Sequence, residues 1–222
     1  MFEFVEAVEK SVELRLEEFI APIAWREGGL FELVVAVVLS QNTSDRNAIR
    51  AYRRLRERLG SISPEGVLEL SLEELEELIK PAGMYKNRAR VLKALAEAFR
   101  DGVVNPQRLA EMDYEEARRF LTSLPGVGKK TADVVLLYLG HPAFPVDTHI
   151  ARIARRWGVG ERYDEVSNWF RKVVPPHKYL EVHLKLIQFG RDVCRARGPR
   201  CDVCPVGARC PSYKSAGRSP VT

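Results

Sequence analysis

All four cysteines of the 222-residue chain lie within 17 residues near its C-terminal end. They are Cys194, Cys201, Cys204 and Cys210, in the spacing C-x6-C-x2-C-x5-C, and no cysteine occurs in the preceding 193 positions. In a reducing compartment, this clustering favours a metal site over disulfides. We therefore expect the four thiolates to bind one metal-containing group.

The apolar residues elsewhere recur at the spacing of helices, and the alternation typical of strands is scarce. Phe31 to Leu39 predicts a buried helix, and further helices are predicted from Tyr114 to Leu121 and from Lys130 to Leu139. Ser63-Pro64 predicts an N-cap followed by proline at the first helical position. We expect an all-α fold of about ten helices with mostly short connections, packed as two helical bundles.

The charge distribution of the chain is uneven. Residues 1–80 carry 16 acidic and 10 basic side chains, whereas residues 81–222 carry 14 acidic and 25 basic ones. A basic later portion suggests a surface for a polyanion, although a solvated arginine-rich surface gives the same composition. The longest strongly apolar run, Leu33 to Leu39, is too short to span a membrane, and the acidic N-terminus is unlike a secretion signal. We expect an intracellular protein without a membrane partner.

A tight connection, Leu124-Pro125-Gly126-Val127-Gly128, separates two of the predicted helices and is followed by Lys129 and Lys130. We expect both glycines to permit positive φ and to bring the backbone close to a docked group. The first N–H groups of the following helix would then point outward with a partial positive charge, an arrangement that binds phosphate. Two glycines alone predict only a turn, but the two lysines behind them favour phosphate binding.

Asp147 directly precedes another predicted helix, which begins at Thr148-His149-Ile150. An aspartate in this position is suited to cap the helix N-terminus. His149 is interpreted as a structural residue near the helix start.

Together these segments resemble the helix-hairpin-helix DNA glycosylase superfamily and, within it, the endonuclease III family. The connection before Lys130 resembles the hairpin, and Asp147, which follows Lys130 by 17 residues, resembles the superfamily's characteristic aspartate segment. The cysteine spacing resembles the cluster loop of the endonuclease III branch. Ser40 to Asp45 and Gly83-Met84-Tyr85 resemble the two DNA-penetrating loops of that branch. The likeness covers roughly residues 25–212.

The resemblance implies two domains and a lysine-based mechanism. Residues 25–135 would form a helical barrel with the helix-hairpin-helix, and residues 1–24 with 136–222 a four-helix iron–sulfur domain built from both termini. Lys130 would attack the sugar C1′, form a Schiff base and lead to β-elimination; the helix N-terminus, Lys129 and partial desolvation all favour its neutral form. Asp147 would stabilise positive charge on the sugar and help to deprotonate the lysine.

Four thiolates suit either zinc or an iron–sulfur cluster. Only Cys201 and Cys204 form the close pair that structural zinc sites usually repeat, and the resemblance implies a [4Fe–4S] cluster held by all four cysteines. The arginines between the first two cysteines would be presented as phosphate contacts rather than as base readers. They are Arg195, Arg197 and Arg200.

Met84 and Asn42 are the candidate wedges that would fill the gap left by a flipped nucleotide. The sequence departs here from the family pattern, which has leucine at the first position and glutamine at the second. Methionine can still fill space against bases. Asn42 is shorter, and Gln41 is an alternative wedge. The phosphate contacts of the hairpin would be Gly126, Gly128 and Lys129.

The resemblance therefore implies a bifunctional DNA glycosylase and abasic-site lyase that excises oxidised pyrimidines. Its partner would be double-stranded DNA with damaged bases or abasic sites, and it would act as a monomer in the nucleoid of a prokaryotic cytoplasm. The adenine-mismatch branch fits less well, because it needs a glutamate where Val37 stands. The alternatives are a mismatch-specific thymine or uracil glycosylase, which typically replaces the lysine, and a non-catalytic iron–sulfur DNA-binding protein, which needs neither Lys130 nor Asp147.

Overall fold

The structure is a computed structural model that describes the backbone of residues 2–215 and the side chains of residues 2–213. Within this range the chain forms α-helices, short 3-10 segments and turns, with no β-strand. This confirms the predicted all-α class. The helices are α1 (Phe2–Ser11), α2 (Ile20–Ser40), α3 (Asp45–Leu59), α4 (Pro64–Glu69), α5 (Leu72–Ile79), α6 (Tyr85–Arg100), α7 (Pro106–Glu111), α8 (Tyr114–Ser123), α9 (Lys129–Tyr138), α10 (Thr148–Trp157), α11 (Tyr163–Val173), α12 (Tyr179–Asp192) and α13 (Pro211–Ser215).

Several helix starts follow directly from local sequence. Ser63 caps α4 by accepting a hydrogen bond from Gly66 N at 3.0 Å, and Pro64 occupies the first helical position, as predicted. Ser71 caps α5 in the same way through Glu74 N. Proline at this position removes no intrahelical hydrogen bond, because the first N–H groups of a helix have no intrahelical acceptor. Among residues 2–215, no helix combines the length and apolar composition needed to cross a lipid bilayer.

The chain divides into two compact units. One is Arg15–His141, and the other combines the N-terminal segment up to Leu14 with the chain from Pro142 onwards. These boundaries differ from the predicted ones at 24/25 and 135/136. The reason is local packing, since Ile20 N donates to Asp45 Oδ1 at 3.0 Å and His141 Nε2 lies 2.9 Å from Leu109 O, which ties both ends to the first unit.

The unit Arg15–His141 is organised around α2. The predicted buried helix from Phe31 to Leu39 forms the second half of α2, after a kink at Gly29 where φ is 71°. Fully burying one leucine or valine side chain of this kind stabilises a fold by about 1.5–3 kcal/mol. Buried Asp133 joins α8 to α9, because it accepts from Tyr114 Oη at 3.0 Å and from Arg118 Nη2 at 3.1 Å. The two helices that flank the hairpin turn are therefore joined by hydrogen bonds to a buried carboxylate.

The unit formed by both chain ends is organised around α12. The helix α1 packs on α12, where Lys185 Nζ donates to Glu9 O at 2.7 Å and Lys178 Nζ to Glu9 Oε1 at 2.5 Å. The Phe4 and Trp157 rings meet edge to face with centroids 5.4 Å apart. These contacts attach α1 to the first half of α12 and to α10. The cysteine segment follows the end of α12 at Asp192.

Candidate functional site

The turn between α8 and α9 requires glycine at position 126. Gly126 has φ of 71°, a left-handed conformation that side chains disfavour. A Cβ atom there would also lie 2.5 Å from Val91 Cγ1, so that any larger residue would collide with α6. Val127 N donates to Leu124 O at 3.2 Å and closes the turn. The sequence prediction of a tight turn with positive φ is confirmed for this glycine.

The prediction of positive φ was wrong for Gly128. This residue is the N-cap of α9 with φ of −89° and ψ of 176°, an extended conformation that any residue adopts. The start of a helix imposes this geometry on the residue before it. In the described part of the chain, and apart from the residues next to it in sequence, no atom lies within 4 Å of the position that a Cβ would occupy. The glycine is thus required neither by the backbone nor by packing within the chain, and it leaves the N-terminus of α9 accessible.

The two lysines of the hairpin are the first and second residues of α9. Lys129 is exposed, and Lys130 is half-buried. Both lie in the first turn, where the helix dipole places its partial positive charge. An anion docked at the turn would therefore meet the helix end and Lys129 together.

Asp147 is the N-cap of α10, as predicted. Its Oδ1 atom accepts a hydrogen bond from Ile150 N at 2.8 Å, and the residue is half-buried. The cap holds the carboxylate in one orientation. His149, two residues further on, has a structural environment: its Nδ1 lies 3.0 Å from Arg152 Nη2, and burial lowers the pKa of its ring.

The two candidate wedges share an unusual backbone conformation. Asn42 has φ of 51° and Met84 has φ of 48°, and in the part of the chain that the structure describes no other non-glycine residue has positive φ. Such residues cost on the order of 1–3 kcal/mol each and cluster at functional sites. Asn42 is exposed, and the Met84 side chain is 58% exposed although it is apolar. Both properties are those of a residue that projects from a loop.

Gln41 has a different environment from its neighbour Asn42. Its Nε2 atom donates to Gly126 O at 2.9 Å and to Thr131 Oγ1 at 3.2 Å. The amide is thus engaged with the hairpin, 85 residues away in sequence. The one residue of this network that the sequence analysis did not single out is Arg88, a buried arginine of α6. Its guanidinium donates to Gly83 O, directly before Met84, and to Gln41 O, directly before Asn42. No local pattern marks either contact, because each joins distant segments.

The four cysteines line one cavity of about 240 Å³, together with Trp157, Phe189 and Tyr213. Between residues 2 and 213, no three His, Cys, Asp or Glu side chains converge as closely as a single metal ion requires. The thiols instead surround a larger space, and burial raises the pKa of Cys204 to about 11. Binding a metal centre would displace the thiol protons, because the thiolate is the ligand.

Two arginines of α10 hold the beginning of the cysteine segment. Arg152 Nε donates to Cys194 O at 3.0 Å. Arg156 Nη1 donates to Arg195 O at 2.8 Å and lies 3.2 Å from Cys194 Sγ. The three arginines of the segment itself are exposed, as expected of phosphate contacts: Arg195, Arg197 and Arg200.

Comparisons with known proteins identify the family to which this chain is similar. The family model described as "HhH-GPD superfamily base excision DNA repair protein" matches residues 35–176. The endonuclease III of Sulfolobus acidocaldarius is 35% identical over 202 residues, which cover 89% of each chain. That of Bacillus subtilis is 37% identical over 191 residues, which cover 81% of this chain and 80% of that protein.

A solved structure described as a trapped endonuclease III–DNA covalent intermediate in an estranged-adenine complex superimposes with a TM-score of 0.76. It is 31% identical, and the match covers 97% of this chain and 96% of that one. The residues that the family model matches include the hairpin and Asp147. The chain therefore belongs to the endonuclease III family, within the HhH-GPD superfamily of base excision DNA repair proteins.

Proposed function

We propose that this protein is a bifunctional DNA glycosylase and abasic-site lyase that excises oxidised pyrimidines from duplex DNA. The observation that carries the proposal is the position of Lys130, half-buried in the first turn of α9 behind the accessible glycine turn. A phosphate held by Gly126, Gly128 and Lys129 would bring the sugar of the same nucleotide to the lysine. A lysine that served only as a surface charge would need no such turn.

The reaction begins with extrusion of the nucleotide, because a base inside the stack cannot be reached. Asn42 and Met84 project from two loops in left-handed conformations, and we propose that they fill the space that the nucleotide leaves. The exposed thioether of Met84 suits contact with base faces.

The neutral amine of Lys130 then attacks the sugar C1′, and the C1′–N bond to the damaged base breaks. The departing base takes up a proton, and the amine gives up one proton after its attack. The C1′–O4′ bond of the sugar then opens, with O4′ taking up a proton, which leaves a protonated Schiff base between C1′ and the lysine nitrogen. Removal of a proton from C2′ then expels the 3′ phosphate, which cuts the strand by β-elimination. The capped carboxylate of Asp147 is proposed to stabilise the positive charge on the sugar and to assist deprotonation of the lysine.

We further propose that the four cysteines hold a [4Fe–4S] cluster. The donor set is four thiolates, which such clusters require, and the cavity that they line exceeds the space of one ion. When bound, the cluster would supply four iron–thiolate bonds that fix the segment from Cys194 to Cys210. That segment would then present its exposed arginines to DNA phosphates.

Borohydride trapping with a panel of duplexes tests the proposed reaction. Duplexes with an oxidised pyrimidine, a G:T or G:U mismatch, or an abasic site are incubated with the protein and reduced. We expect a covalent adduct with the oxidised pyrimidine and with the abasic site. Base release from mismatches without an adduct would instead identify a mismatch glycosylase, and binding without any base release would identify a non-catalytic protein.

The metal content tests the cofactor separately. Protein purified without oxygen should contain about four irons per chain and absorb in the visible range. Stoichiometric zinc without iron would contradict the proposed cluster. It would not contradict the proposed reaction, which does not depend on the metal.

A further inference from the structure

Arg88 is an almost completely buried cation, 3% exposed, near the start of α6. Its guanidinium donates to four backbone carbonyls. Nε donates to Gly83 O at 2.7 Å and Nη2 to Ala82 O at 3.3 Å. Nη1 also donates to Val38 O, and Nη2 to Gln41 O. Among the described acidic side chains, none forms an ion pair with Arg88.

Burying this charge is unfavourable for the free energy of folding. Desolvation lowers the pKa of the Arg88 guanidinium, which has carbonyl dipoles rather than a carboxylate to replace water. A methionine or leucine of similar volume would fill the same space without that cost. The arginine therefore does something that an apolar side chain cannot do, and its partners show what this is.

The four carbonyls lie within four residues before one or the other candidate wedge, in the two segments 38–41 and 82–83. Val38 lies in the last turn of α2, and Gln41 is the C-cap of that helix and directly precedes Asn42. Ala82 and Gly83 lie directly before Met84. One planar guanidinium thus joins two segments that are more than 40 residues apart in sequence. Arginine can do so because its five N–H donors are held in a rigid fork.

A second link extends this connection to the hairpin. Gln41 takes part in both links. Its backbone carbonyl accepts from Arg88, and its side-chain amide donates to Gly126 O and Thr131 Oγ1. Hydrogen bonds therefore run from the Met84 loop through Arg88 to the Asn42 loop, and through Gln41 to the turn before Lys130. All of these residues lie in the unit Arg15–His141.

We propose that Arg88 is a positioning residue that braces both wedge loops against the hairpin, so that Asn42 and Met84 enter DNA as one unit. Two left-handed residues persist only when their surroundings over-determine them, and the brace supplies this constraint. It fixes where the wedges stand relative to the turn that presents Lys130. The inference rests on the proposed function, because it assumes that these loops enter DNA.

The test compares Arg88→Met with the matched control Arg90→Met. Both changes remove one positive charge from α6, but Arg90 is exposed. Single-turnover excision is measured on a duplex with an oxidised pyrimidine, and β-elimination is measured on an abasic site in single-stranded DNA. Circular dichroism and iron content establish that each variant is folded.

We expect Arg88→Met to slow excision from the duplex on the order of 10²-fold, because a misplacement of about 1 Å can have that effect. Cleavage of the single-stranded abasic site should stay within about twofold of wild type, since no stack has to be held open there. Arg90→Met should show only the loss of one surface charge, with the same small effect on both substrates. Equal losses on both substrates for Arg88→Met would overturn the proposal.

A double-mutant cycle with Met84→Ala separates positioning from general destabilisation. If Arg88 acts through the wedge, Arg88→Met combined with Met84→Ala should be no slower than the slower single variant. Multiplicative losses would show that the two residues act independently, which contradicts the brace. If Arg88→Met does not fold, Arg88→Lys replaces it throughout, because lysine keeps the charge without the fork and should give the same selective loss, about tenfold.

A measurement without catalysis separates this inference from the proposed function. A duplex with a tetrahydrofuran abasic analogue and an adjacent 2-aminopurine reports unstacking by a rise in fluorescence. At saturating protein, wild type should raise the signal and Arg88→Met should lose most of the rise. If wild type cleaves no substrate at all, the proposed function fails, and this fluorescence alone decides the brace: an unchanged rise with Arg88→Met would overturn it.

Discussion

The helices α9 and α10 are both ten residues long, but their N-termini are capped differently. At α9 the N-cap is Gly128, which offers no side chain to the first N–H groups. At α10 the N-cap is Asp147, whose Oδ1 accepts from Ile150 N at 2.8 Å. Each terminus carries a residue proposed to react, Lys130 in the first turn of α9 and Asp147 itself.

We interpret this difference as a consequence of the proposed ligand rather than of helix stability. An aspartate caps a helix better than glycine does, and the backbone and surroundings of Gly128 would accept one. Glycine instead leaves the positive end of the α9 dipole accessible to a phosphate. At α10 the carboxylate is the proposed reactive group, and the cap holds it in place.

The largest expected effect is that of Lys130→Gln. The variant should fold, keep the metal content of wild type and bind abasic-site duplex, but form no borohydride-trapped adduct, because we expect no other amine to be placed to attack. Base release should fall by at least on the order of 10³-fold, as expected for loss of a nucleophile. Lys129→Gln is the matched control, with an equal change in charge and an adduct still formed. An adduct at the wild-type rate with Lys130→Gln would show that another residue is the nucleophile.

The next effect concerns the capped terminus. Asp147→Asn keeps the cap, because asparagine caps about as well as aspartate, but it removes the negative charge. Base excision should fall on the order of 10²–10³-fold, the usual effect of removing one electrostatic contribution to a transition state. Adduct formation on a preformed abasic site should partly survive, since Lys130 is still present. Equal loss of both activities would mean that Asp147 serves the lysine alone.

How far the sequence predicted these sites depends on the range of the interactions involved. The Ser63 and Asp147 caps and the left-handed Gly126 were predictable, because each is decided within a few residues of sequence. The φ of Gly128 was not, because the sequence shows only a glycine. Its conformation follows from where α9 begins.

The contacts that link segments were beyond sequence reasoning. The Gln41 amide reaches Gly126 O across 85 residues, and Arg88 reaches Gln41 O across 47. A buried arginine on an amphipathic helix looks like any surface arginine in a sequence. For the same reason the sequence gives no sign of the hydrogen bond from the Gln41 amide to the hairpin, and the role of Gln41 as an alternative wedge stays a prediction.

A smaller effect tests whether the open terminus of α9 binds phosphate. Gly128→Asp and Gly128→Ser both add a capping side chain, but only aspartate places a negative charge where the phosphate is proposed to dock. We expect Gly128→Asp to weaken DNA binding at least about tenfold and to reduce the slope of log affinity against log salt by roughly 1. Gly128→Ser should have a clearly smaller effect. Unchanged affinity with Gly128→Asp would place the phosphate elsewhere.

The smallest effect is on stability, and it should have opposite signs at the two termini. Asp147→Ala removes the cap of α10 and should lower the free energy of unfolding by about 1 kcal/mol, whereas Gly128→Asp adds a cap to α9 and should raise it by a few tenths. For a chain of this size, 1 kcal/mol corresponds to roughly 2–4 °C in Tm. Thermal unfolding followed by circular dichroism measures both, with Asp147→Asn as the control that keeps the cap.

If Asp147→Ala unfolds at the wild-type temperature, the hydrogen bond to Ile150 N contributes nothing to the fold. The orientation of the carboxylate would then have to come from the bound substrate rather than from the helix. If Gly128→Asp lowers Tm, the terminus of α9 is not open to a cap in solution. The glycine would then be required by the fold itself, and the contrast between the two termini would no longer depend on the ligand.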